Sequence, residues 1–294
     1  MSVIHLPVAY HVVDLDICCR CQQLWFDPSE LEALPPPTKT VKEELPQKAR
    51  EALALHAIEN IKITPPTPES VWSLLAGFLG FPVEANAPLL TSRPWCTWTL
   101  ALLCILTFLL TLGNMPEAWQ EWGMIPAECF RHGGLTFITS MFLHGGICHL
   151  ISNLYFLLVF GDNVEDALGK PVYLAVVVAS GLSAHLLHIL FTPNPYVPCV
   201  GASGFISGII AAYAVFFPKV TLSLMTRYSV WFRWVNVPAW GAFGLWFALQ
   251  TFMSLRDPAA DTGVAYCAHL GGSLMGLAAG FLLRKQVEKY LENT

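Results

Sequence analysis

The chain has 294 residues, of which 54% are hydrophobic and 13% charged, with a formal net charge of -5. With a positive mean hydropathy, this excludes an ordinary soluble domain inside a charged shell and leaves no basic surface suited to nucleic acid. A lipid bilayer is the predicted solvent and the first predicted partner.

In chain order, the N-terminus MSVIHLPVAYHVVD has no basic stretch ahead of an apolar core and does not read as a cleaved signal peptide. Residues 1–70 form a predicted cytoplasmic segment. In it, DICCRCQQLWFDPSELEAL (16–34) carries the pair Cys18 and Cys21, and PPPTKTVKEELPQKAR is a linker into a solvated helix over about 43–60. A structural zinc needs four ligands, and only His5 and His11 stand upstream, at an unfamiliar spacing. The expectation is therefore no cofactor, with Cys18 and Cys21 the candidates should this segment hold zinc; a cytosolic setting argues against a disulfide there. Residues 71–93 open with VWSLLAGFLGFPVE, too short and too broken by Gly and Pro to cross a membrane, and are predicted to lie along the inner interface.

Six apolar segments then follow, at 95–113, 147–167, 170–191, 201–217, 237–254 and 263–283, each a candidate to cross about 30 Å of hydrocarbon. The fold class predicted is an all-α membrane protein, with a six-helix domain over 94–284 and a cytoplasmic tail over 285–294. The fourth segment is short and the second is interrupted by polar residues, as suits helices shielded by neighbours. Of the 16 Lys and Arg residues, 14 fall on the side of the N-terminus; only Arg131 and Arg256 fall opposite. Positive charge stays inside, so both termini are predicted to be cytoplasmic in a multi-pass protein of the plasma (inner) membrane.

That orientation sets the depth of the polar residues within the spans. At 1.5 Å per residue, His149, Asn153, Ser203 and His269 all lie within about 3–11 Å of the outer ends of spans two, four and six. Polar side chains are costly in lipid unless they face one another or a water-filled cavity, so one shared cavity is predicted. A serine hydroxyl becomes a nucleophile when a neighbouring imidazole takes its proton, which assigns Ser203 and His269 to that pair. Ser203 also opens a helix, where unpaired N–H groups and the dipole favour an oxyanion. His149 and Asn153, at i and i+4, share a helix face and are assigned to oxyanion stabilisation. Close approach of spans four and six needs small residues, supplied by Gly201, Gly204 and Gly208 on one side and Gly272 and Gly276 on the other.

FITSMFLHGGICHLISNLYFLLVFGDNVEDALG (137–169), GASG (201–204) and AHLGG (268–272) resemble the rhomboid family of intramembrane serine proteases. The resemblance covers roughly 95–283 and implies a six-helix core, a dyad of Ser203 and His269, oxyanion positions at His149 and Asn153, and an acidic residue at Glu165 that helps anchor the first loop. It also implies single-span membrane proteins as substrates, cut near the outer membrane boundary, with access beside span five. Two positions depart from the family: Leu135 and Thr136 stand where many members have Trp-Arg, and Ser207 where some carry an aromatic that packs on the histidine. The N-terminal 16–34 segment resembles half of a zinc ribbon of the transcription-factor-IIB type, read as a metal-free remnant. Two rival classes are weaker. A non-proteolytic client-binding relative is expected to lack the serine or the histidine, and a transporter needs a polar path through both leaflets.

Overall fold

The computed structural model describes residues 2–8, 11–17, 24–25, 71–228, 231–256 and 263–292. The chain divides into two compact units, 1–67 and 68–294. In the first, β1 (Ser2–Val8) and β2 (His11–Ile17) pair antiparallel from Ser2↔Ile17 to Val8↔His11, and β3 (Leu24–Trp25) adds to β2 at Asp16↔Trp25. Cys18, Cys21 and the predicted helix over 43–60 lie outside the described residues.

The second unit is mostly helical. It runs α1 (Val71–Phe78), β4 (Val83–Glu84), α2 (Trp95–Thr111), α3 (Met115–Trp122), the short α4 (Thr136–Thr139), α5 (Ile147–Leu168), α6 (Lys170–Phe191) and α7 (Ser203–Phe216). The hairpin β5 (Thr221–Tyr228) and β6 (Trp231–Pro238) follows, then α8 (Ala239–Arg256) and α9 (Tyr266–Glu292). Only Gly169, at φ 75°, separates α5 from α6, and Pro171 then opens α6 where a missing N–H costs nothing. Helices α5, α6 and α9 are long and apolar enough to cross a membrane; α2 and α7 are shorter apolar helices. With 14 residues, α7 is about 21 Å long, less than the hydrocarbon thickness. Its neighbours resolve that mismatch: α5, α6, α8 and α9 all pack on it, and Phe205, Ile209, Ala211, Ala212 and Tyr213 are buried. The large apolar side chains that remain exposed, such as Leu106 and Leu110 of α2, Leu186 and Leu190 of α6 and Leu245 and Leu255 of α8, face outward as they must in lipid.

Three features were not anticipated from the sequence. First, 218–238 contains strands rather than a plain connection: β5 pairs with β6 from Thr221↔Pro238 to Tyr228↔Trp231, and β4 pairs with β5 at Val83↔Ser223 and Glu84↔Leu222. Helix α1 lies against this sheet so closely that a Cβ on Gly77 would overlap the Trp234 ring. Second, α9 continues to Glu292, well past the apolar stretch, because its last turns are tied down: Val287 is buried and Tyr290 donates to Asp166 at 2.7 Å. Third, Glu165 does not reach the first loop. Its carboxylate, 2% exposed, accepts from the Cys96 and Thr97 amides (3.0 and 2.7 Å) and the Thr97 hydroxyl (2.9 Å), closing the N-terminal end of α2. Those amides are orphans of a helix start, and an anion is their strongest acceptor.

Candidate active site

The site forms where the starts of α5, α7 and α9 meet. Gly272 and Gly276 of α9 face the carbonyls of Gly204 and Gly208 of α7 so closely that a Cβ on either α9 glycine would overlap the facing oxygen. No side chain larger than hydrogen fits at this crossing. The contact holds the first turn of α7 beside the first turn of α9, and with it Ser203 near His269.

His149, Asn153, Ser203 and His269 all line one cavity of about 1000 Å3. Its walls include Phe156 and Phe160 of α5 and Phe243, Trp246 and Leu249 of α8, and it extends to Leu224 and Val237 of the β-hairpin. Helix α8 packs against α9 and α7, and among its described residues only Ala239 and Gln250 are buried. The cavity is therefore flanked by α5 on one side and on the other by α8, a long helix that buries only those two residues.

Ser203 is the first residue of α7, where the first-turn N–H groups have no intrahelical partner. Just ahead of it, Gly201 sits at φ 128°, and a Cβ there would stand 2.8 Å from His149 Cε1, 2.9 Å from His149 Nε2 and 3.7 Å from Ser203 Oγ. The His149 ring edge and the serine hydroxyl thus both lie within 4 Å of one point beside Gly201, a point too close to the ring to admit even a methyl group. The Gly145 amide donates to His149 Nδ1 at 3.1 Å, which puts the ring proton on Nε2, the nitrogen on the ring edge beside Gly201 and Ser203. Asn153 turns its amide nitrogen back to the His149 carbonyl at 2.7 Å, leaving its second N–H for another acceptor.

His269 is held from a helix not expected to contribute. Its Nδ1–H donates to Gln250 Oε1 of α8 at 2.8 Å, which leaves Nε2 as the basic nitrogen, and the Trp246 ring lies 6.0 Å away at 30°. Ser207, at the position aromatic in some relatives, instead donates to the Ser203 carbonyl at 2.6 Å. Among the described residues no hydrogen bond joins Ser203 Oγ to His269; the two share the cavity without closing on each other. A hydroxyl at a helix start, an imidazole with a free basic nitrogen and a second imidazole with an inward N–H can together perform nucleophilic acyl transfer.

The loop before α5 is braced without a Trp-Arg pair. Arg131 donates to the Gly123 carbonyl at 3.1 Å, Trp119 Nε1 to the His144 carbonyl at 3.2 Å, and Thr139 to the Trp122 carbonyl at 2.7 Å. His132 stacks on Trp122 with centroids 5.1 Å apart. His144 is fully buried, donates from Nδ1 to the Phe142 carbonyl at 3.0 Å, and is pushed down to a pKa of about 4 by burial and by His149, so it stays neutral at physiological pH. Cys129 and Cys199 are both free. Among the described residues no group of three or more His, Cys, Asp or Glu side chains is placed to hold a metal ion.

A profile for the Rhomboid domain matches residues 131–286, more than half of the chain, and contains every residue of this site. The chain belongs to the rhomboid family. It is an integral membrane protein. Among its relatives, this rhomboid is 27% identical to Rhomboid protein 1, mitochondrial, of Saccharomyces cerevisiae over 198 residues, covering 64% of this chain and 54% of that protein. It is 30% identical over 149 residues to RHOMBOID-like protein 6, mitochondrial, of Arabidopsis thaliana, covering 51% and 43%. It is also 30% identical over 155 residues to Rhomboid-like protease 3 of Toxoplasma gondii, covering 51% and 52%. The matched part of this rhomboid thus spans about half the length of these relatives.

Of the features sequence reasoning missed, Gln250 is the most consequential. Its only signal was chemical: it is the one amide side chain in an otherwise apolar run of α8, and such a group in lipid needs a partner.

Proposed function

We propose that this rhomboid is an intramembrane serine endopeptidase that cleaves single-span membrane proteins near the outer boundary of the bilayer. In this reading Ser203 Oγ attacks the scissile carbonyl carbon while His269 Nε2 takes the hydroxyl proton. The carbonyl oxygen, now an oxyanion, accepts from His149 Nε2–H, from the free N–H of Asn153 and from the backbone N–H of Ser203. Collapse of the tetrahedral intermediate breaks the C–N bond, and His269 returns its proton to the leaving amine. Water then attacks the acyl-serine with His269 again as base, releasing the acid product and regenerating the hydroxyl. Each oxyanion donor is worth about 3 kcal/mol of barrier.

The observation that carries this reading is the juxtaposition of Ser203 Oγ and the proton-bearing edge of His149, both within 4 Å of one point beside Gly201. Substrate is a membrane-spanning segment because the cavity is walled largely by apolar side chains, among them Phe156 and Phe160 of α5 and Phe243, Trp246 and Leu249 of α8. Peptide groups in a regular membrane helix are internally bonded, so the substrate must unwind locally before the serine can reach it. Both termini lie on the cytoplasmic side of a plasma (inner) membrane, and the 1–70 segment is a metal-free appendage. The test is cleavage of a single-span protein by the purified chain in proteoliposomes. Wild type cuts and Ser203→Ala does not; equal cutting by both removes the assignment, and binding of the segment without any cutting favours a client-binding protein instead.

A further inference from the structure

We propose that Gln250 is the positioning residue of the general base, fixing the tautomer and plane of His269 so that Nε2 is presented to Ser203. The inference rests on the protease reading above. It starts from a contradiction in α8: Leu245, Leu249, Phe252 and Leu255 are 72%, 52%, 56% and 78% exposed, as a lipid-facing helix should be, yet Gln250 is only 8% exposed. An amide turned inward from such a helix must find a partner. Its Oε1 finds His269 Nδ1 at 2.8 Å.

A neutral imidazole carries one ring proton, so accepting it at Nδ1 makes Nε2 the base. Without that acceptor the proton is free to occupy Nε2, and the base is lost in that fraction of molecules. The ring also needs a lateral support, because Ser207 has turned away to the Ser203 carbonyl. Trp246, one turn before Gln250 on the same face of α8, lies against the ring at 6.0 Å. Two residues of one helix thus flank the ring, Gln250 bonded to its Nδ1 edge and Trp246 beside it. The other titratable groups facing His269 are His149 of α5 and His188 of α6; no carboxylate among the described residues supplies the orienting role that Gln250 takes.

The decisive experiment combines three Gln250 variants with a measurement that needs no variant. In Gln250→Leu, which keeps volume and loses the acceptor, kcat for a single-span substrate falls by about 10- to 100-fold with KM within about twofold, a milder version of the loss seen when a triad orienter fixes the wrong tautomer. Gln250→Met behaves like Gln250→Leu. Gln250→Glu restores an acceptor and recovers most of kcat, while its charge favours the imidazolium and moves the acid limb of the pH–rate profile to higher pH. A merely space-filling glutamine predicts the reverse order, with Leu and Met near wild type and Glu worst, and that result overturns the proposal. Separately, 15N-histidine NMR of the wild type reports the His269 tautomer directly: protonation at Nδ1 supports the assignment, and protonation at Nε2 overturns it even if every variant misfolds. Equal substrate cutting by wild type and Ser203→Ala removes the protease reading instead, while the NMR result still reports on Gln250.

Discussion

Replacing Gly201 by alanine tests the geometry at the centre of the site. At φ 128° a β-carbon is disfavoured whatever the surroundings, at a cost of about 1–3 kcal/mol. The surroundings then add a second penalty, since the new methyl stands 2.8 and 2.9 Å from two atoms of the His149 ring. Real carbons do not sit that close, so the ring must shift by several tenths of an ångström, lengthening its hydrogen bond from Gly145 and withdrawing its Nε2–H from the oxyanion position. Loss of one such donor costs about 10²–10³-fold in kcat. The assay is kcat and KM for a single-span substrate in proteoliposomes, beside thermal unfolding in detergent, for Gly201→Ala, His149→Ala and the double variant. Gly201→Ala should lose about 100-fold in kcat and a few degrees in Tm. On the His149→Ala background it should cost little further in kcat, because the ring it displaces is already gone, while the backbone penalty to Tm persists. Wild-type kcat in Gly201→Ala, or full additivity of the two rate losses, refutes the reasoning.

Other expectations follow from the same contacts. Glu165→Ala strips the acceptor from three donors at the buried start of α2 and should destabilise by about 3 kcal/mol, read as a lowered unfolding midpoint with activity per folded molecule retained; no change in the midpoint contradicts the capping role. Gly272→Leu forces α9 off the Gly204 carbonyl and should abolish activity, with loss of folded protein in detergent measured alongside. The Glu84 carboxyl hydrogen-bonds the Tyr213 hydroxyl and is raised to about 7, chiefly by burial and against the lowering effect of Tyr213. Because the folded value lies above the unfolded one, its contribution to stability is fully present below about pH 4.5 and is lost as pH rises to about 7. Glu84→Gln should flatten the pH dependence of Tm in that window, and an unchanged slope counts against it. Metal analysis of the purified full chain should find no stoichiometric zinc; about one zinc per chain, lost in Cys18→Ser, shows a real ribbon site.

Much of the helical scaffold was legible because lipid imposes a simple rule. Runs such as 147–167 and 170–191 announce themselves by apolar length, and the helices found there begin and end within a residue of those limits. The short 203–216 helix was legible for a related reason, since only a shielded helix can be so short. The strands at 221–238 were hidden because TLSLMTRY and WFRWVNVP alternate only partly, and the third strand, β4, which pairs with β5, lies more than a hundred residues upstream. The role of Glu165 was misjudged because its three donors come from the start of α2, which no local spacing relates to it. At the site, residue type and depth drew Ser203, His269, His149 and Asn153 together. The two bonds that fix the imidazole protons, from Gly145 to His149 and from His269 to Gln250, exist only once the helices have packed.

The most direct measurement of the central claim is the position of a covalent adduct. A serine-reactive fluorophosphonate incubated with the membrane-embedded protein should phosphonylate Ser203 alone, displacing fluoride, as read by peptide mass spectrometry, and His269→Ala should slow that reaction by orders of magnitude. An adduct on another serine, or labelling of Ser203 that proceeds at the same rate without the His269 imidazole, contradicts the account.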